Sequence, residues 1–210
     1  MTTKGRFRIA VLVSGGGTNL QSIIDRVEAG KINAQIEVVI SNNSKAYALE
    51  RARLHNITAL HMSAKKFGSQ ESLDEELLKV FEEREIELVV LAGYMKLVSP
   101  VIIRKYAGRI INIHPGPLPE FGGKGMHGLK VHEAVLSAGL SETCATVHVV
   151  DEIYDHGSIL LRREVPILAD DTPESLAARV LKVEHQILPE VINMYAEGKI
   201  DPGKIREDQS

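Results

Sequence analysis

Asn112, His114 and Asp155 are the residues whose types and spacing point most directly to chemistry. Asn112 and His114 fall at alternate positions of the apolar run INIH, so on a strand their side chains leave the same face. Pro115, Pro117 and Pro119 follow. Each fixes φ, removes a backbone donor and pushes the preceding residue toward extended geometry, which holds His114 at a strand end on stiff chain. Asp155 lies in DEIYDHGSI, a polar loop between two apolar segments. No serine or cysteine nucleophile stands with the three. An amide donor, an imidazole and a carboxylate therefore suit a reaction whose nucleophile belongs to the substrate. The imidazolium and the amide stabilise an oxyanion, and the carboxylate orients and charges the ring.

A second constellation is the glycine-rich turn in VLVSGGGTNLQSII, between a strand and a helix start. Free backbone N–H groups and the positive end of a helix make phosphate its natural guest. A nucleoside triphosphate or NAD fits poorly. No lysine follows the glycines, Leu20 stands where a third dinucleotide glycine would, and the second strand ends in SNNS rather than an acidic residue. A single phosphate on Gly17, Thr18 and Asn19 fits better; the alternative is that the glycines only let helix and strand pack closely. Among the histidines, His127 and His132 are five apart and do not share a helical face for a metal. His148, in an apolar strand, reads as a packed core histidine or as a support for Asp155. No metal is expected.

These residues need a scaffold. The chain alternates strand-like runs (RIAVLV, IEVVIS, TALHM, IELVVLAG, RIINIH) with helix-spaced segments (TNLQSIIDRVEAG, AYALERARLHN, QESLDEELLKVFEERE, VSPVIIRKYAG). A helix around GLKVHEAVLSAG precedes two strands, TCATVHVV and SILLRREVPI, and a long helix over TPESLAARVLKVEHQILPEVINMYAEG, with a kink expected at Pro189, closes the pattern. This predicts an α/β fold: a mostly parallel sheet with an antiparallel C-terminal extension and helices on both faces. DPGKIREDQS is expected to be loosely ordered. A net charge of -3 shows no excess of positive charge for nucleic acid or an anionic membrane, and no apolar run approaches the roughly 20 residues of a membrane span. The lone Cys144 excludes an intrachain disulfide and fits a reducing cytoplasm.

VSGGGTNLQSII, SNNSKAYALERA, LAGYMKLVSP, INIHPGPLP and HVVDEIYDHGSILLRREVPI resemble the phosphoribosylglycinamide formyltransferases (GAR transformylases), folate-dependent enzymes of purine biosynthesis, over nearly the whole chain. The resemblance implies a Rossmann-like formyltransferase fold in one domain over residues 1–210. It also implies transfer of the formyl group of 10-formyltetrahydrofolate, a cosubstrate, to the amine of glycinamide ribonucleotide. By motif it makes Asn112, His114 and Asp155 catalytic, puts the ribonucleotide phosphate on Gly17, Thr18 and Asn19, and gives the ribose hydroxyls to Glu184. Folate falls to Met95, Lys96, Leu97 and Val98, with Asn112, and the Asp151 to Asp155 loop borders the pterin. Gln70 stands where some members carry an arginine that reaches the folate, so its hold on the folate tail's charge is expected to be weaker. Of the longer loop after the prolines, Lys124, His127 and Lys130 are candidates to face substrate. The partners implied are small molecules, with the chain a monomer or a homodimer. Competing readings are a formyltetrahydrofolate deformylase or the catalytic part of a methionyl-tRNA formyltransferase, which carry further domains, and a noncatalytic nucleotide-binding module.

Overall fold

A computed structural model describes residues 5–208. Its elements are β1 (Phe7–Val13), α1 (Thr18–Glu28), β2 (Ala34–Ser41), α2 (Tyr47–Leu54), β3 (Thr58–His61), α3 (Ala64–Phe67), α4 (Gln70–Glu83) and β4 (Leu88–Leu91). After these come α5 (Pro100–Lys105), β5 (Ile110–His114), α6 (Leu129–Ser137), β6 (Glu142–Val149), β7 (Ile159–Pro166), α7 (Pro173–Ala196) and α8 (Pro202–Asp208). The strands form one sheet in the order β3-β2-β1-β4-β5-β6-β7, parallel through β5 and antiparallel at β6 and β7. Both faces are covered, which is why β1 from Ile9 onward and all of β4 read as unbroken apolar runs. On one face, residues of α1, α2, α6 and α7 pack with Val11 and Val90; on the other, Leu73, Leu77 and Phe81 of α4 pack with Leu12 and Val89.

Two local expectations change, at α3 and α8, and the helix with Pro189 gains a defined start. The four-residue α3, capped by Ser63, has too few positions to show a periodic pattern. α7 runs through the buried Pro189 as one helix; its start is fixed by a reciprocal cap between Thr172 and Ser175. The C-terminal segment expected to be loose forms α8, with the Pro202 backbone close enough to Gly108 that no side chain would fit there; Gln209 and Ser210 lie outside the described residues.

The strand order places the site. Winding reverses between β1 and β4, so the loops after these strands part and leave a crevice at their carboxyl ends. β6 runs antiparallel to β5 and sets His148 opposite Asn112 and Thr146 opposite His114. The loop after β6 therefore leaves beside Ile110, whose carbonyl accepts from the Val150 N–H, and returns along the strand to bring Asp155 to Asn112 and His114.

Candidate active site

Asp155 gathers the corner expected to be catalytic. Its Oδ2 accepts from the Gly123 N–H at 3.0 Å and lies 3.7 Å from His114 Nδ1, while its Oδ1 is 3.4 Å from Asn112 Nδ2 and 3.5 Å from His148 Nε2. One carboxylate thus ties β5, β6 and the loop after the prolines. Its backbone is left-handed, φ 54, a conformation aspartate tolerates better than most residues. Gly122 lets the loop come this close, since a Cβ there would stand 2.5 Å from Leu118 and 2.9 Å from the Asp155 Cβ. Burial works against the charge of Asp155. The adjacent His148 ring, the charge of His114 and the Gly123 N–H outweigh it and hold the carboxyl below its usual range.

His114 is 3% exposed, and both its ring nitrogens face oxygen: Nε2 donates to the Phe121 carbonyl at 2.8 Å, and Nδ1 looks toward Asp155. Burial pushes its pKa down, while Asp155 and the Phe121 carbonyl push it up; the net direction is down. The carboxylate favours the charged ring, as the sequence suggested, without fully offsetting desolvation. Asn112 brings a second finding. Its Nδ2 is 3.0 Å from His148 Nε2, and His148 Nδ1 is 2.9 Å from the Val149 carbonyl, so the ring donates through Nδ1 and accepts from Asn112 through Nε2. The Asn112 amide nitrogen is therefore engaged by His148 and Asp155, and donation to an oxyanion requires the amide to turn.

The crevice opens as a cavity of about 740 Å³ that brings most of the expected residues together. Asn112, His114, Asp155, Met95, Lys96, Leu97, Val98, Asn19 and Glu184 border it. Buried Glu184 accepts from Asn19 Nδ2 at 2.7 Å, which joins α7 to α1; burial pushes its carboxyl up and Asn19 pulls it back. Of the glycine turn, Ser14 and Gly15 border the cavity, whereas Gly17 and Thr18 do not. Gly17 is the left-handed N-cap of α1, φ 74, and a Cβ on it would lie 2.6 Å from that of Ala48. Close packing therefore accounts for Gly17, and α1 still begins with no side chain capping its N–H groups. Gln70 lies apart from this cavity. It donates to Asp74 at 2.7 Å and borders a second cavity of about 940 Å³, which meets the first along Tyr94, Lys96, Leu97, Val98 and Tyr154. Lys124 and His127 face the first cavity and Lys130 does not.

Two residues carried no usable signal. Ser14 Oγ accepts from the Met95 N–H at 2.8 Å and donates to Asn42, linking the loops after β1, β4 and β2. His132 was set aside on spacing alone, yet it is buried and borders the cavity. No cluster of three or more His, Cys, Asp or Glu side chains placed to hold a metal occurs among the described residues, and no helix there is long and apolar enough to cross a membrane.

The formyl transferase family matches residues 7–192. A chloroplastic phosphoribosylglycinamide formyltransferase of Vigna unguiculata is 41% identical over 94% of this chain; the chain spans 64% of that relative's length. The phosphoribosylglycinamide formyltransferase of Escherichia coli is 40% identical over 91% of this chain and 88% of its own. The crystal structure of glycinamide ribonucleotide transformylase 1 from Symbiobacterium toebii superposes with a TM-score of 0.87 at 41% identity, covering 94% of this chain and 92% of that one. With this fold and this corner, the chain belongs to the formyl transferase family, among its phosphoribosylglycinamide formyltransferases.

Proposed function

We propose that the chain, as one domain, transfers the formyl group of 10-formyltetrahydrofolate to the amine of N1-(5-phosphoribosyl)glycinamide. The observation that carries this is the corner gathered by Asp155: an amide and an imidazole beside a carboxylate, with no protein nucleophile among them. The ribonucleotide runs from the start of α1, where its phosphate meets free N–H groups beside Gly15 and Asn19, past Glu184 at the ribose, to its amine near His114. Gly17 and Thr18 shape that turn. The pterin lies on Met95, Lys96, Leu97 and Val98, with the Asp151 to Asp155 loop and Asn112 along its edge, and its tail leads toward Gln70.

As the neutral amine attacks, the formyl oxygen gains charge. His114, whose Nδ1 has no hydrogen bond closer than the 3.7 Å to Asp155, meets that charge as imidazolium. The oxyanion raises the proton affinity of His114 and completes what Asp155 begins. Asn112 turns its amide to donate alongside. Substrates are small molecules, no metal takes part, and a reducing compartment such as the cytoplasm keeps buried Cys144 a thiol.

The test follows tetrahydrofolate release from 10-formyltetrahydrofolate with and without glycinamide ribonucleotide. Release that depends on the acceptor is expected. Equal release without it indicates a deformylase, and no release in either case removes formyl-folate chemistry.

A further inference from the structure

The reaction moves two protons, and the corner around Asp155 accounts for one. The amine nitrogen bonds to the formyl carbon while that carbon's bond to the folate N10 breaks. N10 leaves with a proton, which His114 as imidazolium supplies, and the amine nitrogen gives one up. Resting on the transferase reading above, we propose that His132 takes the amine's proton as a neutral imidazole.

The position fits. His132 lies on α6, which packs against α7, and α7 brings Leu181 and Glu184 to the same cavity. This is the wall along which the ribonucleotide runs to its amine. The ring is 3% exposed and borders the cavity, and its Nδ1 has no hydrogen-bond partner among the described residues. A buried imidazole nitrogen without a partner is costly unless a ligand meets it.

The environments of the two histidines differ in the sense an acid and a base require. His114 has a carbonyl at one nitrogen and a carboxylate facing the other, and both favour its cation against the effect of burial. His132 has no such partner at Nδ1. Lys130 and Glu133 neighbour it on its own helix, and His114 of β5, Lys124 and His127 of the preceding loop and Glu184 of α7 border the same cavity. Burial, and then the charge of His114, push its pKa down, so protonation of His114 keeps His132 neutral. Two titratable groups set apart by their surroundings make an acid and base pair.

The test uses H132Q, which keeps a hydrogen-bonding side chain but accepts no proton in this range, and H132A with added imidazole. Turnover of H132Q is expected to fall by about 10²-fold or more, with the Michaelis constant for formyl-folate within about threefold and the acid limb of the pH-rate profile gone. Imidazole should restore part of the H132A rate. Turnover of H132Q within about threefold of the parent overturns the proposal. A large loss with the acid limb retained and no rescue also overturns it, by assigning His132 a structural role. If neither variant folds, the parent decides: an NMR titration of His132 whose midpoint departs from the acid limb in the presence of ribonucleotide overturns it. Failure of the parent to transfer formyl groups to the ribonucleotide would instead overturn the transferase reading.

Discussion

The two ends of the proposed catalytic cavity are built by different physics. At the glycine turn, position is fixed by backbone and packing: Gly17 sits against Ala48, the Arg51 Nε donates to the Gly16 carbonyl at 2.8 Å, and Ser14 bridges to Met95. At the other end, position and charge both depend on one carboxylate shared among Asn112, His114, His148 and the Gly123 N–H. The first end presents backbone geometry that changes little with pH. The second is electrostatic. Substitutions at the turn should therefore alter stability or ribonucleotide affinity, and substitutions at the corner should alter turnover and its pH dependence.

The largest effect is expected at the corner. His114→Ala should lower kcat by about 10²- to 10⁴-fold with modest changes in either Michaelis constant. Asp155→Asn is the sharper probe, because asparagine also tolerates the left-handed backbone at this position. Asp155 raises the proton affinity of His114 against burial, so its removal lowers that affinity further. The alkaline limb of the rate profile, where His114 loses its proton, should move to lower pH as the maximal rate falls. A lower rate with an unmoved alkaline limb would leave Asp155 a structural hub, and the contrast between the two ends would collapse.

The turn splits into two predictions. Gly17→Val meets Ala48 and a left-handed backbone together. The cost should be about 2–5 kcal/mol, which for a chain of this length lowers Tm by roughly 5–15 °C. Gly15→Val differs: a Cβ there meets nothing within 4 Å, and the residue borders the cavity. It should leave Tm nearly unchanged and raise the ribonucleotide Michaelis constant by about tenfold, with the folate constant untouched. Equal loss of Tm in both variants would show that the turn is a packing device throughout.

Much of this division can be read along the chain. The alternation in INIH, the prolines behind it and the glycine turn are local patterns, and the structure places them at the carboxyl ends of β5 and β1. What could not be read depends on pairing across space. Gly17 looks like a phosphate glycine until α2 brings Ala48 against it. Asn112 looks free to donate until antiparallel pairing sets His148 opposite. His132 reads as one more buried position of an amphipathic helix, because helical spacing does not distinguish a core from a cavity wall. The loop with Lys124, His127 and Lys130 has no period, so the facing of each residue emerged only from its path.

Beyond the corner, Leu97 tests the folate wall. It is 45% exposed and borders both cavities, an apolar side chain left open where a flat heteroaromatic ring would cover it. Leu97→Asp should raise the Michaelis constant for formyl-folate by about tenfold or more and leave that for the ribonucleotide within about twofold. Equal shifts in both would take the wall out of folate recognition.

The smallest expected effect is at Gln70, at the far edge of the second cavity. Its side chain donates to Asp74 one helical turn along α4, and Asp74 is itself buried. An arginine here has two possible partners, the neighbouring carboxylate and the charged tail of the folate, which differ in their response to salt and to ligand. If the tail reaches this edge, Gln70→Arg should lower the formyl-folate Michaelis constant about two- to fivefold at low ionic strength. Most of that gain should vanish at high salt, because the pairing is solvent-accessible. The ribonucleotide constant should not move, since Gln70 does not border the catalytic cavity. If the folate constant is the same at both salt concentrations, Asp74 has captured the guanidinium or the tail passes elsewhere. The double variant Gln70→Arg with Asp74→Asn separates these outcomes: a gain that appears only when the carboxylate is gone identifies Asp74 as the competitor, and no gain in either background removes position 70 from the folate path.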